Sequence, residues 1–305
     1  MKISVVISAY DEEKLIEDCL KSAKDLADEI IFVDNTSSDK TVEIAKKFTN
    51  KIFIRPNDPV MLNKNKNFGF TKATGEWIIS LDADERITPE LAREIKKVIN
   101  GLPSEAQAVD GFEIPRKNII FNKWIRHSIW WPDYNLRLFR KGKGKFPEKH
   151  VHEKLKVIGE VGRLKNPLIH YNYQTVSQFI QKLDKTYTES ETENFLKEGK
   201  DIAWYDVIRW PTSDFVKTFF AQRGYRDGLH GLVLSLLQSF YALVFFTKVW
   251  ERKEKFADLT PDNFLSNVIK EFIQAARNIR YWIYESLIMD NPALKLYYKF
   301  RRRIF

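Results

Sequence analysis

The sequence predicts an α/β protein, a doubly wound and mostly parallel sheet followed by a helical C-terminal region. Three observations carry this expectation. Four short apolar runs, "ISVVIS" (3–8), "EIIFVD" (29–34), "KIFIR" (51–55) and "EWIISLD" (76–82), have the β-rich composition of strands covered on both faces. Helix-like stretches separate them, and a strand-helix-strand alternation implies right-handed parallel crossovers. After residue 174 the composition becomes helix-rich, which sets the expected domains at 1–173 and 174–305.

The elements follow in order. Residues 12–27 carry Leu15, Ile16, Cys19, Leu20 and Ala23 at helical spacing, and 39–49 start with an Asp cap in "SSDKTVEIAKKF". Residues 61–74 form the helix-like connection to the fourth strand. Further on, "TVSQFIQKLDKTYTESETENFLKEGK" lacks a continuous apolar face and reads as a long, solvated connecting helix. Residues 228–247 then run for twenty positions without Asp, Glu, Lys or Arg, the length a membrane span requires, although they include His230 and Gln238. Leu229, Leu232, Leu236, Phe240 and their neighbours make one apolar stripe, while Gly231, Ser235 and Ser239 repeat every four residues on another. Arg223, Arg226, Lys248, Arg252 and Lys253 flank the run, and "KFRRR" closes the chain. The pattern fits a packed or half-immersed helix resting on anionic lipid, the other reading being the core helix of an all-α subdomain.

Composition narrows the class. With 305 residues, 44% of them hydrophobic, the chain can bury one large core or two modest ones. Fifty Lys and Arg against forty-one Asp and Glu give +9 and a pI near 9.3, which suits an anionic partner: a phosphate-bearing substrate, nucleic acid or an acidic membrane face. The basic residues are interspersed with acids and no nucleic-acid motif is present, so nucleic acid is not an expected partner. Cys19 is the only cysteine, which excludes an intrachain disulfide and a multi-cysteine zinc site. The N-terminal apolar run is too short for a signal sequence and Asp11 interrupts it, so a cytosolic start is expected.

Ligands of doubly wound sheets sit at the carboxyl ends of strands. There this chain places "SAYDEE" (8–13), "VDNTSSD" (33–39) and "LDADE" (81–85). Asp82 and Asp84, one residue apart, crowd two carboxylates that a cation or hydrogen-bond donors must compensate, and such oxygens suit Mg²⁺ or Mn²⁺. An exposed acidic turn capping the next helix, "ITPELAREI", gives the same pattern; the position after an apolar fourth strand favours the site. No Gly-rich turn follows the first strand, so neither a dinucleotide fingerprint nor a phosphate loop is available.

Together, "VVISAYDEE", "IIFVDNTSSDKT", "NKNFGFTKATGEWIISLDADE", "NLRLFRKGKGKF" and "HVHE" make the first 155 or so residues resemble a family 2 glycosyltransferase of the GT-A fold. The chain is most similar to the lipopolysaccharide-core β-glucosyltransferase-like branch, where "GYRDGLHGLVLSLLQSFYALVFFTKVWE" also has counterparts; 254–305 lie outside the resemblance. The resemblance implies Ala9, Tyr10 and Glu12 near the nucleotide base, Asp34 on uracil or ribose, and Lys66 and Asn67 near the nucleotide. It implies Asp82 by the ribose and metal, and Asp84 as principal metal ligand. It also implies inversion, which needs a carboxylate to take the acceptor proton.

Glu153, at the end of "KHVHE", and Asp133, opening "DYNLRLFR", are the two candidates for that base, with Glu153 favoured by the resemblance. His152 would complete the metal site or touch the diphosphate; an extended "HVHE" puts it on the face opposite Glu153, so both serve only if the segment bends. Arg137 and Arg140 are candidate phosphate ligands, and His127 and His170 read as structural. The aromatics of 121–139, with Trp124, Trp130, Trp131 and Tyr134, read as an acceptor platform, a membrane-edge loop or a minicore between domains.

The expectation is therefore a metal-dependent, inverting glycosyltransferase moving a hexose from a nucleotide sugar, UDP-linked, to a glycan or lipid-linked acceptor in cell-envelope polysaccharide synthesis. It would lie in the cytoplasm, peripheral to the inner membrane face. The alternatives are a nucleotide-sugar-binding protein without turnover and a nucleotidyltransferase.

Overall fold

A computed structural model describes residues 1–58, 62–101, 109–148 and 154–304. The chain divides into two compact units, residues 1–124 with 131–174, and residues 125–130 with 175–305.

The first unit opens β1 (Ile3–Ala9), α1 (Ile16–Lys24), β2 (Glu29–Asp34), α2 (Thr41–Ala45), β3 (Ile52–Ile54), α3 (Leu62–Lys72) and β4 (Trp77–Asp82). β3, β2, β1 and β4 lie side by side in that order, all parallel, as the alternation of the sequence predicts. Val5, Ile7, Phe32 and Ile79 are wholly buried among α1 and α2, while Val6, Ile31 and Val33 pack with Phe70 of α3 on the other side. Both faces of these strands are therefore dry, which explains their unbroken apolar runs.

The remaining strands, except one separate pair, turn the sheet into a mixed one. β5 (Glu85–Ile87) and α4 (Pro89–Asn100) precede β6 (Val109–Ile120), β7 (Lys123–Trp124), β8 (Asp133–Arg140), β9 (Gly144–Lys145), β10 (Lys156–Val157), β11 (Glu160–Arg163) and β12 (Leu168–Tyr173). The sheet continues from β4 through β8, β6 and β12 to β5; β8 is antiparallel to both β4 and β6, and β12 is parallel to β6. β9 and β10 pair with each other in a separate two-stranded sheet. The expected doubly wound sheet is thus present, with an antiparallel extension that the four apolar runs did not announce. This register brings the carboxyl end of β4, the start of β8 and the far ends of β6 and β12 to one rim, pairing Arg116 with Asp133, Asn118 with His170 and Glu85 with His170.

The second unit is helical: α5 (Val176–Lys182), α6 (Thr188–Lys197), α7 (Asp206–Phe215), α8 (Leu229–Glu254), α9 (Phe264–Asp290) and α10 (Lys295–Ile304). A π turn at Leu183–Tyr187 joins α5 to α6, so the expected connecting helix forms with one irregular turn. α8 packs through its stripe of small residues: Gly231 and Ser235 are buried, and Ser239 Oγ donates to the Pro211 carbonyl at 2.9 Å. A Cβ at Gly231 would stand 1.8 Å from the Gly224 carbonyl oxygen, so only glycine fits. Ile202, Phe246 and Val249 form a small core with Phe195, Trp210 and Phe245 around them. Among the described residues, α8 is the one helix long and apolar enough to cross a membrane.

Candidate active site

The acids at the end of β4 are tolerated because three cations converge on them. Asp82 ends the strand, Ala83 and Asp84 make the turn, and Glu85 starts β5 with its side chain fully buried. Arg137 of β8, 6% exposed, reaches Asp82 Oδ2 at 2.6 Å and Glu85 Oε1 at 2.7 Å with the same Nη2. Lys66 of α3 holds the other Asp82 oxygen at 2.5 Å, and Arg116 of β6 stands 3.8 Å from Glu85 Oε1. Glu85 Oε2 also accepts the Asp82 backbone N–H at 3.1 Å. Burial alone would raise the Asp82 carboxyl, but Arg137 and Lys66 overcome it and hold the group far below the usual carboxylate range. Burial correspondingly lowers Arg137, and Asp82 and Glu85 more than restore it, so the guanidinium pKa is raised.

A second chain of contacts runs along the rim from Asp133 to Asp84. Arg116 pairs with Asp133 Oδ2 at 2.6 Å, and Asn118 Nδ2 donates to the same oxygen at 3.2 Å. With its amide nitrogen so engaged, Asn118 turns Oδ1 to His170, 2.7 Å from Nδ1. On the other side of the ring, Nε2 stands 3.4 Å from Asp84 Oδ2. Asp84 and His170 offer a carboxylate oxygen and an imidazole nitrogen, donor types that suit a divalent ion. Among the described residues no group of three or more His, Cys, Asp or Glu side chains is arranged to hold a metal.

The nucleotide-side residues divide differently. Ala9 and Asp34 sit opposite each other at the ends of β1 and β2. Asp34 is 1% exposed; its Oδ2 accepts the Ser37 N–H at 2.9 Å, while Oδ1, also buried, has no hydrogen-bond partner among the described residues. Asn35 and Asn65 lie behind it, linked at 2.7 Å. Tyr10 is exposed, and Glu12 is half-buried with its N–H donating to Thr41 Oγ1. Asn67 is committed elsewhere: its amide bonds both the N–H and the carbonyl of Phe146, each at 2.9 Å, and stitches α3 to that loop. Arg140 also turns away, lying over the Trp77 ring at 4.6 Å, because residues three apart on β8 point to opposite faces. His150, His152 and Glu153 lie outside the described residues.

Glu85, Arg116, Asn118 and His170 were not singled out as site residues by the sequence, where His170 reads as structural. Glu85 stood in the quoted acidic motif, but its role depends on strands 30 to 85 residues downstream. Cys19 is buried, its Sγ 3.4 Å from the Asp82 carbonyl, and burial pushes its thiol far up, so it is no nucleophile.

The sequence model of glycosyl transferase family 2 matches residues 4–155. The chain is similar to an uncharacterized glycosyltransferase, RT0209, of Rickettsia typhi, 26% identical over 298 residues that cover 92% of this chain and 98% of that one. It is also similar to the lipopolysaccharide core biosynthesis glycosyltransferase LpsC of Rhizobium meliloti, 24% identical over 277 residues, 88% of this chain and 98% of that one. Among solved structures, TarS 1-349 of S. aureus has a TM-score of 0.42 and 17% identity, covering 81% of this chain and 92% of the other.

Proposed function

Because residues 4–155 belong to glycosyl transferase family 2 and the chain is a glycosyltransferase, we propose that it moves a hexose from a UDP-linked sugar to a glycan or lipid-linked acceptor, inverting the anomeric carbon with help from Mg²⁺ or Mn²⁺. The name of LpsC supports an acceptor in cell-envelope polysaccharide synthesis, and the basic chain supports a place at the inner membrane face. The observation that carries the reading is the order of groups along the rim. An unpartnered buried acceptor on Asp34 in β2 comes first, then Lys66, Asp82 and Arg137 around β4 and β8, then Asp84 facing His170.

Strand spacing separates β2 from β4 by roughly 10 Å, a distance comparable with the reach of a nucleoside diphosphate. Asp34 Oδ1 accepts the uracil N–H, beside Ala9, Tyr10 and Glu12. Lys66 and Arg137 exchange Asp82 for the diphosphate oxygens, which leaves Asp82 for the ribose side. Asp84 and His170, with His152 as a further ligand, would hold the cation, which would supply charge neutralisation for the leaving diphosphate. The acceptor oxygen bonds to the anomeric carbon as the bond from that carbon to the diphosphate breaks, and the acceptor proton passes to a carboxylate.

Asp133 is poorly suited to take that proton. Although burial raises its carboxyl, Arg116 and Asn118 hold it below the ordinary range, which weakens it as a base. Glu153, which the family resemblance favours and which lies outside the described residues, is the proposed base. A ligand-stabilisation screen of UDP, GDP, CMP and dTDP sugars, with and without Mn²⁺, tests the donor and the metal together. The reading requires UDP-hexoses to raise the melting temperature, more with Mn²⁺ than without; preference for another base, or indifference to all, contradicts it.

A further inference from the structure

The C-terminal helices α9 and α10 leave an apolar surface that nothing else in their unit covers. Leu265, Ile269, Phe272 and Ile283 of α9 recur at helical spacing and are 72%, 51%, 59% and 40% exposed. α10 is held to α9 by one side only: Tyr298 packs on Tyr284 and Arg302 pairs with Glu285. Leu296 and Phe300 stand about half a turn round that helix from Tyr298 and Arg302, and are 83% and 63% exposed.

The charge around these residues has one sign. Residues 264–305 hold eight Lys and Arg against three acids, and each acid is consumed inside the unit: Glu271 by Arg209, Glu285 by Arg302 and Asp290 by Arg226. Lys270, Arg277, Lys295 and Lys299 make no ion pair among the described residues. Tyr281, Trp282 and Tyr297 add amphipathic rings of the kind that favour a membrane-water interface. The basic residues at the end of α8 are, by contrast, neutralised at home, Lys248 by Asp184, Arg252 by Glu189 and Lys253 by Asp201.

We infer that α9 and α10 form the surface by which this protein binds an anionic bilayer, Leu296 and Phe300 entering the headgroup boundary and Lys295 and Lys299 meeting lipid phosphates. A second copy of the chain, which could also cover apolar side chains, would leave this concentration of like charge uncompensated. The inference is independent of the reaction at the strand ends, since a protein without this surface keeps its donor site.

Co-sedimentation of the full chain with vesicles of phosphatidylglycerol and phosphatidylcholine tests it. Binding is expected to need phosphatidylglycerol and to weaken as salt rises from roughly 0.05 to 0.5 M. Leu296→Ser/Phe300→Ser and Lys295→Glu/Lys299→Glu, all at exposed positions, are each expected to weaken binding at least about tenfold. Leu236→Ser/Phe240→Ser on α8 is expected to bind as the parent does, and UDP-sugar stabilisation should be unchanged in all three. Equal binding by parent and α10 variants, loss confined to the α8 variant, no binding by the parent, or a dimer that the α10 changes dissociate would each overturn the inference.

Discussion

Arg137 does most to compensate the acidic end of β4, because one nitrogen reaches both Asp82 and the fully buried Glu85. Removing one partner of such a pair leaves a buried charge alone, so Arg137→Met should cost about 3–5 kcal/mol in urea unfolding, and adding Glu85→Leu should recover much of it. A loss below about 1 kcal/mol would show that Arg116 suffices for Glu85. Beside this, Asp84→Ala and His170→Ala should each abolish the Mn²⁺ contribution to UDP-sugar stabilisation, His170→Ala also costing about 1–3 kcal/mol because its buried imidazole bonds Asn118; a variant that keeps the Mn²⁺ contribution excludes the altered residue from the metal site. For the base, Glu153→Gln should keep donor binding and lose turnover by about 10²–10⁴-fold, with Asp133→Asn the milder change. The reverse order of activities would exchange their roles. Asp82 and Asp84 were legible in the sequence because two acids after an apolar strand need compensation. Lys66 and Arg137 were named there too, though as ligands of the nucleotide and not as partners of Asp82, whereas Arg116 and His170 were missed, since they reach the rim only through strand pairing that local pattern does not encode.

Among the elements, α3 lies so close to the sheet that its glycine is a packing residue. A Cβ at Gly69 would stand 2.5 Å from Val6 Cγ1 and 3.1 Å from Val33 Cγ2, both in the dry interior. Gly69→Ala should therefore destabilise by about 1–3 kcal/mol despite the better helix propensity of alanine, and a stabilised variant would contradict the close approach. Glu29 secures the opposite end of the strands, accepting from Ser4, Lys51 and Thr74. Burial would raise its carboxyl, but these donors bring it down to about 2 from the ordinary 4.5. A depressed carboxyl stabilises above its unfolded pKa, and the contribution fades as pH falls from about 4.5 towards 2. Glu29→Gln should accordingly cost about 1–3 kcal/mol at pH 7, with the gap to the parent closing on acidification; a gap independent of pH would assign the loss to packing. The parallel strands were legible because both their faces are dry. β6 and β8 were not, because their exposed and buried positions mix charged residues such as Arg116, Asp133 and Arg137 into the pattern.

At the scale of the whole chain, a mean hydropathy of −0.39 and a charge of +9 conceal two unlike parts. One unit holds the dry sheet with its charged rim, and the other is helical, with apolar and basic residues gathered at its C-terminal end. The helical character after residue 174 was legible from composition, and so was the apolar run of α8. Which of its residues face protein was not, because helical periodicity fixes a face but not what covers it. The central claim concerns transfer itself, and UDP release from a UDP-hexose in the presence of an envelope glycan acceptor measures it most directly, with the parent chain compared with Asp84→Ala and Glu153→Gln. Release by the parent that requires both acceptor and Mn²⁺, and is lost in both variants, is the predicted result. Undiminished release by Asp84→Ala, or donor binding by the parent with no release on any envelope acceptor, would contradict it.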